Sequence, residues 1–370
     1  MAPSAPETPR MPGSVAIRPW RAGDDRALAQ VLPDPGSPAQ LAARALLREP
    51  GEEPLTRTVI AVVGSVVVGA AALAASPAHP GRAWVHVEVA PEERRRGVGT
   101  ALLDAVAAEA AGTALEGLGL RTRLVADDPE GGAFAHARGF TDLFTTRIVL
   151  IDAGALGAAG LERAEDLQVI DTGSVALTRA FAGWYERVNA LDPAAPMSIG
   201  QVNARFLSEA AGAHGAALWR PDVDGAGADI NKRPVTAFAV SYAQRRDETA
   251  EAQTAGQTAP GQAAAGQAAQ PQTAGPGTVD ASARAGEDGE QVFAVTGGED
   301  ATELTVGSID GNVQDLRSLV ARLSVDTPVV VEVTDAMETE SALVEELLAS
   351  GSARILTSYT TLVRDPQNGL

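Results

Sequence analysis

The sequence predicts a mixed α/β protein made of two domains in tandem. Three observations carry that expectation. The chain has 370 residues, 45% of them hydrophobic, which exceeds most single domains and can fill two cores. Valine-rich runs of strand character alternate with segments of helical spacing along most of its length. The order strand, helix, strand, helix, strand also occurs twice, over residues 83–151 and again over residues 303–363. Only 4% of residues are aromatic, so aliphatic side chains must fill the cores.

In chain order, residues 14–20 read as a first strand, and Gly23-Asp24-Asp25 opens a helix to Leu32. Ser37 caps a second helix over 38–47, with Pro38 at its first position and Pro50 beyond its end. Residues 58–79 carry no charge and could pass for a membrane span. Gly64-Ser65 divides them into two valine-rich runs, so the expectation is a buried hairpin and no membrane partner. A strand over 83–89 follows, then a helix from 99 to 110, a strand at 120–125, a short helix ending at Arg138-Gly139 and a strand at 144–151.

Composition narrows the function. The chain has no cysteine, which excludes disulfides, thiolate catalysis and cysteine-ligated zinc and fits a cytoplasmic location. The net charge of −19 is uneven: residues 1–152 hold 15 Lys+Arg against 18 Asp+Glu, and the remainder 14 against 30. No nucleic-acid partner is expected from that balance. Residues 1–13 contain prolines and no long apolar core, so they read as a disordered terminus rather than a signal peptide or anchor. His79 and His214 have no ligand partner at metal-binding spacing, so no metal site is expected.

The most informative stretch is residues 85–103. An apolar strand stops at Pro91, three arginines and two glycines follow, and a helix begins. That order suits a phosphate: glycines permit close approach, and the helix start offers unpaired N–H groups and a positive dipole end. It is not a dinucleotide fingerprint, because Gly-x-Gly-x-x-Gly is absent, nor a Walker loop, because Gly-Lys-Ser/Thr is absent.

Arg94-Arg95-Arg96-Gly97-Val98-Gly99 meets the pattern Gln/Arg-x-x-Gly-x-Gly/Ala. With Val87–Pro91 before it, Thr100–Leu103 after it, Ile17-Arg18-Pro19 upstream and Ala137–Phe140 downstream, residues 14–152 resemble the GCN5-related N-acetyltransferase (GNAT) superfamily. The resemblance implies that acetyl-CoA is the cosubstrate. It implies that Arg94, Arg95, Arg96, Gly97, Val98, Gly99 and Thr100 hold its pyrophosphate and that Val87 and Val89 pair with its pantetheine arm. Acetyl transfer also needs a base. Of the polar side chains on the strand, Glu88 lies nearer the loop than His86 and is the candidate catalytic residue. Many members place an acidic tyrosine where this chain has Ala135; His136 is adjacent but turned about 100° around the helix.

Residues 153–160 form an Ala/Gly linker. Beyond it, helices are expected at 174–189 and 198–211, with Phe181, Trp184 and Tyr185 as core, and strands at 216–220 and 235–242. Residues 245–290 are rich in Ala, Gln, Gly, Thr and Pro and cannot offset their ordering entropy, so disorder is expected. Strands at 292–295, 303–306, 329–333 and 354–363 and helices at 313–323 and 340–348 complete the pattern. Residues 161–370 therefore read as a diverged second acetyltransferase-like domain interrupted by a low-complexity insert. Its counterpart loop, Gly307–Asn312, lacks arginines and contains Asp310, so it is not expected to hold CoA. The expected function is acetyl transfer from acetyl-CoA to a primary amine on a small molecule or peptide. The alternatives are an acyl-CoA-binding sensor without turnover and an amine-binding scaffold formed by the acidic second half.

Overall fold

Gly64, at φ +63°, turns the two valine-rich runs onto each other, and the uncharged stretch becomes an antiparallel strand pair. The computed structural model describes residues 15–126, 128–157, 161–222, 229–242, 283–285, 291–293 and 301–366. Its first half runs β1 (Val15–Pro19), α1 (Asp24–Val31), α2 (Pro38–Arg44), β2 (Gly51–Glu52), β3 (Leu55–Val63), β4 (Val66–Ala74) and β5 (Arg82–Val89). It continues with α3 (Val98–Ala108), β6 (Gly119–Val125), α4 (Pro129–Ala137) and β7 (Thr141–Ile151). From Thr58 onward the β3–β4 pair lacks charge because helices cover both of its faces. On one face Leu28 of α1 and Leu32 just beyond it meet Ile60 and Ala70; on the other Leu102 and Val106 of α3 meet Ala61 and Ala71. Leu102 and Val106 are fully buried, each contributing about 2 kcal/mol. Among the described residues no helix is long and apolar enough to cross a membrane.

The second half runs β8 (Leu167–Ile170), α5 (Val175–Val188), α6 (Ile199–Val202), β9 (Ala213–Trp219), β10 (Ala237–Tyr242), β11 (Ala283–Ala285) and β12 (Gln291–Phe293). It ends with β13 (Thr302–Ser308), α7 (Val313–Leu323), β14 (Val329–Thr334), α8 (Glu338–Ala349) and β15 (Ala353–Arg364). The expected helix over 198–211 is broken. After α6 a π turn spans Asn203–Leu207, Ser208 is extended, and a 3₁₀ turn covers Glu209–Ala211. Ser208 is the cause: its hydroxyl donates to Ala204 O (2.9 Å) and accepts from Ala211 N (3.1 Å), which ends one turn and caps the next. The expectations for residues 1–13 and for most of 245–290 lie outside the described residues. Within the latter, β11 pairs antiparallel with β12.

One 13-stranded sheet carries both halves, in the order β1-β3-β4-β5-β6-β15-β7-β14-β13-β10-β9-β8, with β2 on β3. The order is pseudo-symmetric about its centre. Each half pairs a strand in parallel, β5 with β6 and β13 with β14. Each half also inserts its last strand between the last two strands of the other: β15 lies between β6 and β7, and β7 between β14 and β15. Two further ties cross the seam. Asp192, in the connection after α5, is 3% exposed and takes Arg82 at 2.6 Å and the buried Arg121 at 2.9 Å. Arg147 of β7 pairs with Glu345 of α8.

Candidate active site

The two parallel pairings are short, and a wedge opens beyond each. Registered pairing of β5 with β6 ends at Trp84–Arg121, while β5 continues along β4 to Val89. Two bonds fix which backbone groups face the gap. Ala90 N donates to Val68 O on the β4 side (2.8 Å), and Gly81 O accepts from Gly119 N on the β6 side (3.3 Å). Backbone groups alternate sides along a strand, so the N–H and C=O of Val85, Val87 and Val89 point into the wedge.

At the mouth of the wedge the chain makes a 3₁₀ turn at Pro91–Glu93 and enters α3 through Arg95 (φ +61°) and Gly97 (φ +84°). Gly97 starts α3 without a side-chain cap, whereas Asp128, Ser174 and Asn312 cap α4, α5 and α7. The N–H groups of residues 95–100 have no acceptor among the described residues. Gly99 lies against the Phe134 ring, which a Cβ would approach to 3.4 Å. This surface fits a pyrophosphate, with consecutive donors, a helix dipole and no side chain in the way. The three arginines divide their work. Arg94 folds back, donating from Nε to Val89 O at 3.1 Å, and approaches Glu130 at 3.5 Å. Arg96 pairs with Glu93 at 2.9 Å. Arg95 is exposed on its left-handed backbone. Thr100 accepts from Arg138 at 2.5 Å, which ties the first turn of α3 to the end of α4.

His86 and Glu88 alternate with the valines and project to the α2 face of β5. Glu88 receives Arg44 of α2 in a forked pair, Nε to Oε2 at 2.9 Å and a shorter N–H to Oε1. His86 Nε2 lies 3.4 Å from Glu88 Oε2. Burial pushes the Glu88 carboxyl up, but the bonds from His86 and Arg44 outweigh it and pull the pKa down to about 2. Glu88 is thus a fixed anion at neutral pH. Arg44 had no signal in the sequence, since the contact joins residues 44 positions apart. Ala135 is buried and offers only a methyl group, and His136 turns outward to Asp142 at 2.8 Å. Neither supplies an acid at the wedge.

The second wedge is closed from within. Thr302 N donates to Pro328 O on the β14 side, so the even residues of β13 face that gap. There Ser308 N donates to the buried carboxylate of Glu340 at 2.7 Å, Ser308 O accepts from Arg187 at 2.5 Å, and Trp184 Nε1 donates to Glu340 at 3.1 Å. A Cβ on Gly307 would meet Phe238 at 2.4 Å and Trp184 at 2.9 Å, so no side chain fits under these rings. Asn312 Oδ1 caps α7 by accepting from Gln314 N (3.0 Å) and Asp315 N (3.4 Å). Both backbone groups of Ser308, at the mouth of this wedge, are thus satisfied by side chains. Among the described residues no three His, Asp or Glu side chains gather as metal ligands.

Residues 25–140 match the model of the acetyltransferase (GNAT) family, and no curated protein matches the sequence. The structure is similar to a GCN5-related N-acetyltransferase from Sphaerobacter thermophilus, at 12% identity and TM-score 0.50, over 96% of this chain and 97% of that one. It is also similar to a GCN5-related N-acetyltransferase from Anabaena variabilis (10% identity, TM-score 0.43, 95% and 72% coverage). A third similar structure is a tandem GNAT protein from the clavulanic acid biosynthesis pathway (15% identity, TM-score 0.44, 96% and 100% coverage). The Sphaerobacter alignment spans both halves, so the shared fold extends over the whole chain. Residues 25–140 thus carry the match to the acetyltransferase (GNAT) family, and the whole chain has the fold of a GCN5-related N-acetyltransferase, its second half a diverged copy of the first.

Proposed function

We propose that the chain transfers an acetyl group from acetyl-CoA to a primary amine at the first wedge. The observation that carries this reading is the run of N–H groups over residues 95–100 beside the backbone of Val87 and the N–H of Val89, which face the wedge. The N–H groups, with Arg95 and Arg96, hold the pyrophosphate. The backbone of Val87 and Val89 pairs with the pantetheine arm, and an N–H near Val89 faces the developing oxyanion. The domain boundaries follow, with the catalytic domain at residues 14–152 and the diverged domain at 161–370, whose closed wedge and capped α7 leave CoA no seat.

Glu88, ionised at neutral pH, anchors the acceptor as an ammonium and orients His86. His86 takes the proton that must leave before nitrogen attacks, since imidazole is the side chain best matched to proton transfer near neutral pH. Nitrogen then attacks the thioester carbon, the C–S bond breaks, and the second proton lost from nitrogen reaches the leaving thiolate through water, because Ala135 and His136 provide no acid. In Glu88→Gln, kcat/KM for amine acetylation is expected to fall by about 100-fold or more with acetyl-CoA affinity unchanged. Equal activity in the variant would remove Glu88 from the mechanism. Release of free CoA with no member of an amine panel would favour binding without turnover.

A further inference from the structure

Between the halves, on the sheet face that carries α2 and α5, lies a cavity of about 210 Å³. Its floor runs from Arg121 and Arg123 on β6, through Tyr359 of β15 and Thr146 of β7, to Glu332 on β14. Phe181, Trp184 and Tyr185 of α5, with Phe206 after α6, form its wall. The chain has only three tyrosines, and all three, Tyr185, Tyr242 and Tyr359, line this one cavity. In a chain with only 4% aromatic residues, such a concentration marks a place built for something planar.

The cavity is separate from the first wedge. Ala39 and Ala42 of α2 pack on Tyr359 and Val125. The Arg123 guanidinium lies 4.9 Å from the Trp84 ring and 4.7 Å from the Tyr359 ring. Neither His86 nor Glu88 lines the cavity. Its charge also runs against the rest of the molecule. The chain carries −19 overall, yet among the described residues the lining holds Arg121, Arg123 and Arg205 against the single carboxylate of Glu332. Arg121 is committed to Asp192 at 2.9 Å, and Glu332 already accepts the Tyr359 hydroxyl at 3.1 Å. A guanidinium carries five N–H donors, so Arg123 and Arg205 can serve a ligand carboxylate as well as their protein partners.

We propose that this seam cavity binds a small one-ring organic anion, an aryl carboxylate, with its ring among Phe181, Trp184 and Tyr185 and its carboxylate toward Arg123 and Arg205. Volume sets the ring number, since a cavity of roughly 150 Å³ holds one benzene and this one is about 210 Å³. The site does not depend on acetyl transfer. It would give the second half, whose CoA seat is closed, a ligand of its own.

Calorimetric titration of the full chain with benzoate, benzyl alcohol and benzylamine tests the assignment. Benzoate is expected to bind saturably at or below about 10 mM, at least about tenfold more tightly than the other two. Arg205 is half-buried, so Arg205→Gln should preserve the fold and weaken benzoate about tenfold or more. Ala211→Phe, at a half-buried lining position, should abolish binding with thermal unfolding essentially unchanged. Equal binding of the three probes, binding that survives Ala211→Phe, or no binding of benzoate would each overturn the proposal. Acetyl-CoA affinity of the same variants reports on the first wedge independently, so the two readings fail separately.

Discussion

Acidification should destabilise the protein through Glu88 over a defined window. The carboxyl has a pKa of about 2 when folded against an ordinary 4.5. At about 1.4 kcal/mol per pH unit, that gap corresponds to about 3 kcal/mol. The folded pKa is the lower one, so the unfolded chain binds the proton more readily. The stabilisation is therefore complete above the unfolded value, is lost as pH falls from about 4.5 to about 2, and is absent below. Glu88→Gln removes the titration while keeping a similar shape, so the comparison isolates the charge held by Arg44 and His86. Urea unfolding of both proteins at pH 7, 5, 4 and 3 is the assay. The stability difference should approach about 3 kcal/mol at pH 7, as an upper bound, and shrink steadily below pH 4.5. A difference that stays constant from pH 7 to pH 3 would refute the coupling of Glu88 to Arg44 and His86.

Two other outcomes follow from the geometry. Gly97→Ala places a Cβ in open space but on a backbone at φ +84°, so it should cost about 1–2 kcal/mol of stability and weaken acetyl-CoA several-fold; unchanged affinity, measured calorimetrically, would dissociate the loop from the cosubstrate. A fragment of residues 1–152 lacks β15, which pairs with both β6 and β7, so alone it should aggregate or lack a cooperative thermal transition by circular dichroism, and co-expression with residues 153–370 should restore one. A cooperatively folded fragment would show that the strand exchange is dispensable.

The first half was largely legible because its signals are local. Gly64-Ser65 announced the hairpin, Ser37-Pro38 the start of α2, and Arg94–Gly99 the turn into α3. The alternation along β5 also placed Val87 and Val89 on one side and His86 and Glu88 on the other. What escaped was set by contacts distant in the chain. The 354–363 run is strand-like whichever neighbours it has, so nothing in it reveals that β15 inserts into the first half. Arg44 reads as an ordinary last-turn arginine until α2 is laid across β5. Ser308 and Glu340 meet only because α8 packs beneath the second wedge, which makes that wedge closed rather than merely poor in arginine. The break at Ser208 was missed because its residues keep helical composition while the hydroxyl rewires the local bonds.

The central claim is that the uncapped start of α3 and the open side of β5 form an acetyl-CoA seat. Thermal unfolding of the full chain with and without acetyl-CoA tests it most directly. At about one hundred times its dissociation constant a ligand that binds only the folded state contributes about 2.7 kcal/mol, which should raise the midpoint by several degrees, and Gly97→Ala should reduce that rise. An unchanged midpoint at millimolar acetyl-CoA would contradict the claim.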